Sequence, residues 1–225
     1  DRVAWAGSSN RLYIQYDDHG KRHLATLSMS GEVSSFIDDI GSAGVSRPYT
    51  TGEFSVADNG AYAYTMGAPN QPADVAAGRR GRAPSRLTHL NDDLLARKTL
   101  GVVEEITWRS SVGDHDIQGW IVKPPNFSAD KKYPLILEIH GGPFAAYGPH
   151  FSVENQLYAA AGYVVLYTNP RGSTSYGDEF ANEIHYNYPS QDYDDLISGV
   201  DAVIACGFVD TEQLFVTGGS GGGVL

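Results

Sequence analysis

Apolar and polar residues alternate through the first hundred positions of the chain and gather into blocks through the rest. Arg11-Leu12-Tyr13-Ile14-Gln15-Tyr16 and His23-Leu24-Ala25-Thr26-Leu27 flank the turn-forming residues Asp17-Asp18-His19-Gly20-Lys21. Period-two runs on either side of such a turn predict a β-hairpin. Phe54-Ser55-Val56-Ala57 and Ala61-Tyr62-Ala63-Tyr64-Thr65 flank Asp58-Asn59-Gly60 and predict a second. Asn10 to Tyr13 repeats as Asn59 to Tyr62, an offset of 49 residues, close to the period of a four-stranded propeller blade. A blade cannot bury both its faces alone, so a propeller calls for further blades upstream of Asp1. A small β-sandwich is the alternative.

After Thr99-Leu100-Gly101 the pattern changes. Glu105-Ile106-Thr107-Trp108 and Ile117-Gln118-Gly119-Trp120-Ile121-Val122 predict two strands joined across residues 113–116, the second ended by Pro124-Pro125. Tyr133-Pro134-Leu135-Ile136-Leu137-Glu138-Ile139 and Tyr163-Val164-Val165-Leu166-Tyr167 have the nearly continuous apolar character of strands buried on both faces. A helix is expected over 152–161, with Val153, Leu157 and Ala161 on one face. A second is expected from an Asp192 N-cap to Gly207, carrying Leu196, Ile197, Val200, Val203 and Ile204 on one face. Strands alternating with helices predict an α/β sheet, mainly parallel. The expected division is therefore 1–100, β structure, and 101–225, α/β.

The last apolar segment, Gln213-Leu214-Phe215-Val216-Thr217, is expected to be a buried strand, and it runs into Gly218-Gly219-Ser220-Gly221-Gly222. A strand entering G-x-S-x-G is the sequence form of a nucleophile elbow, in which a serine sits on a sharp strand-to-helix turn. Gly218 and Gly222 lack the Cβ that would crowd that turn. A phosphate-cradling loop would need a lysine after the glycines, and none follows. His140-Gly141-Gly142-Pro143 directly follows the strand at 133–139 and resembles the HGGG-type loop of α/β-hydrolases, which brings a second backbone N–H to the same oxygen. Each such donor is worth about 2.7–4 kcal/mol in the transition state. His140 heads that loop, which favours an orienting role over a role as base.

Composition narrows the field. Apolar residues form 41% of the 225 and charged residues 19%, enough for a packed core. A net charge of −11 disfavours nucleic acid as a partner. Arg79, Arg80, Arg82 and Arg86 read as a solvated loop, and Asp17, Asp18, Asp38 and Asp39 as turn and surface groups. Cys206, the single cysteine, is expected as a small buried hydrophobe near a helix end. No apolar run has the length of a membrane span. There is no HExxH and no paired Cys/His spacing, so neither metal nor organic cofactor is implied. Asp1-Arg2-Val3 opens inside a strand pattern without an initiator methionine, and both ends read as cuts.

Gly119-Trp120, His140-Gly141-Gly142-Pro143, Asn169-Pro170-Arg171-Gly172-Ser173 with Tyr176-Gly177, and the elbow stand in an order and spacing that resemble the prolyl oligopeptidase family of serine peptidases, notably its acylaminoacyl-peptidase and dipeptidyl-peptidase-like branches. The resemblance covers about 104–225. It implies an α/β-hydrolase fold preceded by the last blades of a β-propeller, which restricts access to a site between the domains, and a short peptide as substrate. It also implies that Ser220 is the nucleophile, that Gly221 and Gly142 donate the oxyanion N–H groups, and that His140, Gly141, Arg171 and Tyr176 support the site. The triad aspartate and histidine then follow the serine in chain order, beyond Leu225, and the 225 residues alone are expected to be inactive. Both cytoplasmic and periplasmic or secreted locations fit. One departure stands out: many relatives carry a bulky aromatic residue after the serine, and here it is Gly221, so packing beside the acyl group is expected to be lost. A carboxylesterase-like hydrolase shares the elbow and the HGG loop, and a non-catalytic propeller–hydrolase binding protein is a third reading.

Overall fold

Tyr13 and Gln15 turn inward from β2 (Arg11–Asp18) while their neighbours stay partly exposed, the two-residue period that the sequence displays. The computed structural model describes residues 2–5, 7 and 10–225; Asp1, where the first strand pattern opens, lies outside them. β1 (Arg2–Trp5), β2, β3 (Lys21–Ser28) and β4 (Val33–Ile37) form one antiparallel meander. β5 (Phe54–Val56), β6 (Ala61–Ala68), β7 (Gln71–Arg79) and β8 (Ser85–Arg86) form a second. Each has the four-stranded layout of a blade. Tyr13, Leu24 and Ile40 from the first pack with Phe54, Tyr62, Tyr64 and Ala76 of the second in one apolar cluster. The repeated tyrosines at 13 and 62 thus share one cluster, each edge-on to Phe36. Before Leu100 the described residues hold one helix, the single turn α1 (Asp92–Leu95).

A third sheet contains β9 (Val102–Arg109), β10 (Asp116–Lys123), β11 (Tyr133–Ile139), β12 (Val164–Asn169) and β13 (Val209–Gly218), in the order β13-β11-β12-β10-β9. β13, β11 and β12 run parallel, whereas β12–β10 and β10–β9 are antiparallel. The sheet is therefore mixed, with the parallel part made by the strands from Tyr133 onward, where it is expected, and the antiparallel β10 and β9 at one side. The chain leaves β11 for β12 on one side through α2 (Val153–Ala160), then returns to β13 on the other through α4 (Gln191–Ala205); α3 (Asp178–Asn182) is a short helix between. Leu135, Leu137 and Ile139 face α4 with Leu196 and Val203. Val165, Tyr167 and Trp120 face α2 with Ala159.

Several burial expectations are corrected. In α2 the buried residues are Asn155, Gln156 and Ala159, while Val153 and Leu157 are exposed. Gln156 is drawn inward because its side chain accepts from Gly101 N (2.7 Å) and donates to Gly101 O (3.1 Å), clasping the start of β9. Ser152, not an apolar residue, fixes the start of α2 by accepting from Asn155 N. Ser190 rather than Asp192 is the cap position of α4, and Asp192 lies in the first turn, accepting from Ser190 N. Ile197 of α4 is partly exposed. Cys206 is exposed because it follows the last helical residue, past the edge of the core. Arg86 is no loop residue: it pairs with the buried Asp74 and with Asp92. Asp17 accepts a bidentate contact from Arg22 at 2.6 and 2.8 Å, and burial pushes the Asp39 carboxyl up to about 7. No helix among the described residues is long and apolar enough to cross a membrane.

Candidate active site

β11 and β13 lie side by side in parallel register, with Ile139 opposite Gly218. The loops that leave their C-terminal ends, the HGGP segment and the GGSGG segment, must therefore start next to each other. β11 is also where the strand order reverses, and open α/β sheets form their ligand crevice at such a switch point.

Ser220 is exposed, begins a 3-10 turn over Ser220–Gly223, and has φ +57°. A non-glycine residue in this left-handed region is strained, and such strain collects at functional sites. The flanking glycines are required by contact: a Cβ on Gly218 would strike the Gly222 carbonyl, and one on Gly222 would strike that of Ile139. Gly141 is also wedged in, since its missing Cβ would lie 2.9 Å from Gly219 O and 3.2 Å from the Ser220 Cβ. The Gly142 nitrogen is 3.2 Å from the point where a side chain on Gly221 would begin. Neither the Gly142 nor the Gly221 N–H donates to another backbone group among the described residues. An exposed hydroxyl on a strained turn thus sits beside two uncommitted N–H groups, an arrangement suited to an oxygen that gains negative charge.

His140 is buried and does not serve Ser220. Its Nδ1 lies 2.9 Å from Gly141 O and its Nε2 3.0 Å from Ser173 Oγ. Burial lowers its pKa, so the ring is neutral at pH 7, with Nδ1–H donating to the carbonyl and Nε2 accepting from Ser173. Pro170 O, 2.6 Å away, competes for the same Ser173 proton. Arg171 is buried as well. Its Nε and Nη2 donate to the two oxygens of Asp195 on α4 at 2.9 and 2.7 Å, and further bonds reach Gln191, Ser110 and Val112 O. The Asp195 carboxylate beside it raises the guanidinium pKa further. Tyr176 donates to Gln118 at 2.6 Å and accepts from Asn169 at 2.8 Å. Arg171 and Tyr176 therefore hold the 169–177 loop against the sheet, and Ser173 passes that order to His140.

The model of the prolyl oligopeptidase family matches residues 149–225, the stretch that carries the Asn169–Ser173 segment and the elbow. Over these residues the chain is similar to the prolyl oligopeptidase family. The likeness extends further upstream. An uncharacterized peptidase of Bacillus subtilis, YuxL, is 32% identical over 225 residues, covering 100% of this chain and 33% of that protein. Dipeptidyl-peptidase 5 of Schizosaccharomyces pombe is 34% identical over 143 residues, 60% of this chain and 21% of that one. The Pyrococcus horikoshii acylaminoacyl peptidase superposes with a TM-score of 0.82 at 26% identity, over 98% of this chain and 34% of its own. The chain thus spans about a third or less of the length of these relatives.

Four residues at the site escaped the sequence reading. Gly141 N donates to the Tyr49 hydroxyl at 2.8 Å. The Arg47 guanidinium reaches within 3.1 Å of the place a Gly219 side chain would take, and its Nε contacts Glu154 at 3.1 Å and Glu138 at 3.6 Å. Glu138 is wholly buried and accepts from Tyr147 at 2.6 Å; burial pushes its carboxyl up to about 7. Tyr188 donates to Gly221 O at 2.8 Å, and its hydroxyl is 3.1 Å from where a Gly221 Cβ would be. This corrects the expected loss of packing after the serine: an aromatic side chain from the loop before α4 occupies that space. Only Glu138 left a trace in sequence, as the one charge in an apolar strand.

Proposed function

We propose that this chain is part of a serine peptidase that cleaves short peptides through an acyl-enzyme on Ser220. The observation that carries the reading is the φ of +57° at Ser220, at the end of β13 and beside the free N–H groups of Gly142 and Gly221. The Ser220 Oγ attacks the peptide carbonyl carbon, and the carbonyl oxygen takes up the charge facing those two N–H groups. A histidine removes the serine proton and delivers it to the leaving amine, and an aspartate orients that histidine. Water then cleaves the ester and frees the acid. The histidine and aspartate are proposed to follow Leu225 in the full-length protein, because no imidazole among the described residues is directed at Ser220.

In the same reading, residues 1–100 are the closing blades of a β-propeller and 101–225 open an α/β-hydrolase domain. The two antiparallel meanders and the switch point at β11 support that division. The peptidase names of the relatives favour an amide over a simple ester as substrate. In the full-length protein Ser220→Ala is expected to abolish hydrolysis of a peptide anilide while leaving the melting temperature unchanged. Undiminished hydrolysis by the alanine variant would refute the assignment.

A further inference from the structure

The Gly141 backbone is gripped by side chains through both of its polar groups. Its carbonyl oxygen, Gly141 O, is 2.9 Å from His140 Nδ1, and the Gly141 N–H that precedes it donates to the Tyr49 hydroxyl at 2.8 Å. A trans peptide is planar, so its N–H points opposite to its C=O. Fixing Gly141 O against His140 therefore aims the Gly142 N–H the other way, and its nitrogen lies 3.2 Å from the Gly221 Cβ position, next to Ser220 in the chain. Gly141 has no side chain, and Gly142 stands at φ +140°, a conformation available to glycine and to few others. Neither residue can hold this orientation by its own rotamer. External groups must set it.

Tyr49 belongs to the connection between β4 and β5, in the other half of the chain. That connection is laid along the third sheet by its own bonds. Val153 N donates to Val45 O (2.7 Å), Gly148 N to Pro48 O (2.9 Å) and Thr50 N to Ala146 O (3.1 Å), and Ser152 Oγ donates to Ser46 O (2.8 Å). The Tyr49 ring packs on Tyr147 with centroids 4.7 Å apart and stands edge-on to His140. Its hydroxyl lies 3.4 Å from the missing Gly141 Cβ, a point that is 3.2 Å from the Ser220 Cβ. It also lines a cavity of about 530 Å³ between the halves, with Tyr16, Asp17, Thr50 and Phe144.

We infer that Tyr49 is a positioning residue for the reaction: its hydroxyl sets the oxyanion loop from the N-terminal half, so that the Gly142 N–H is aimed only when the two halves are docked. This rests on the reading of Ser220 as nucleophile. It assigns to the N-terminal half a part in the chemical step, beyond limiting access to the site.

The test is Tyr49→Phe in the full-length protein, which keeps the ring against Tyr147 and removes one oxygen. Misaiming a catalytic group by about an ångström costs up to about 100-fold in rate. The variant is expected to lose about 10- to 100-fold in kcat on a peptide anilide, with KM within about twofold of the parent, as befits a transition-state interaction. Affinity for a peptidyl boronic acid, whose tetrahedral adduct needs the oxyanion donors, should fall by the same factor, while a non-reactive peptide amide binds as before. A second variant, Tyr49→Trp, keeps an aromatic ring without an acceptor oxygen and should show the same split between kcat and KM. Parent-like kcat and boronate affinity in the Phe variant would overturn the inference and leave the nucleophile standing. A parent protein that neither hydrolyses the anilide nor binds the boronate would overturn the nucleophile, and this inference with it.

Discussion

Glu138 places a carboxyl group at the centre of an apolar sheet, and its environment decides how the fold responds to pH. Burial is the largest influence and pushes its pKa up to about 7, against the lowering effects of the Tyr147 hydrogen bond and Arg47. Asp39 is raised to about 7 for the same reason. Both folded values lie above the unfolded carboxylate range, so the folded state holds protons that the unfolded chain releases. Their contribution is full below about pH 4 and is lost as pH rises towards 7, at up to about 1.4 kcal/mol per pH unit for each group. Glu138→Gln is expected to flatten the fall in melting temperature between pH 5 and pH 8, leaving the part due to Asp39. An unchanged slope would place the titration elsewhere. Arg171 illustrates the opposite case, a buried cation with every neighbour arranged around it. Removing one partner of such a pair leaves the other buried and unpaired, so Arg171→Ala should lower stability by about 3–5 kcal/mol in denaturant titrations. A change below about 1 kcal/mol would show that water replaces the guanidinium.

At the scale of elements, the period of the sequence located the strands well. The two hairpins, the strand at Tyr133–Ile139 and the long helix before the elbow all stand where alternation and helical spacing placed them. What the pattern did not reveal is which face each element presents. β13 reads as a buried strand because it is apolar; within these 225 residues it lies at the end of the strand order, with Leu214 44%, Phe215 49% and Val216 67% exposed. In α2 the Gln156 amide turns inward because its partner is Gly101, distant in sequence. The contacts that matter most at the site, Tyr49 with Gly141 and Tyr188 with Gly221, are long-range for the same reason, and local period carries no information about them. The turn at Ser220 was legible because a strained turn permits few residue types. An exposed apolar edge is a template for pairing with other chains. The 225 residues expressed alone are therefore expected to self-associate, and Val216→Lys should shift them towards monomer in sedimentation velocity. A parent chain that is monomeric at tens of micromolar would contradict this.

For the whole molecule, the two halves meet at the site. The β2–β3 turn bonds to Ser175, through His19 N at 2.9 Å and Gly20 N at 2.8 Å, and the segment after β4 lies along α2 and the HGGP loop. The change of period near Leu100 marked the boundary between halves, but the docking between them was invisible in sequence because it runs largely through backbone atoms. On the proposed reading, the oxyanion side of the site is assembled within these residues while the proton acceptor is supplied from later in the full-length protein. A serine without its base remains a weak nucleophile at neutral pH. The 225 residues alone should hydrolyse a peptide anilide at background rate, and a rate comparable to that of the full-length protein would mean that the base lies within them.

The most direct measurement of the central claim is to treat the full-length protein with a fluorophosphonate and map the adduct by tandem mass spectrometry. An activated serine facing two N–H donors is the group such reagents phosphonylate. One modified residue is expected, Ser220, with labelling lost in Ser220→Ala and slowed in Tyr49→Phe in step with kcat. An adduct on any other serine, or an active protein left unlabelled, would contradict it.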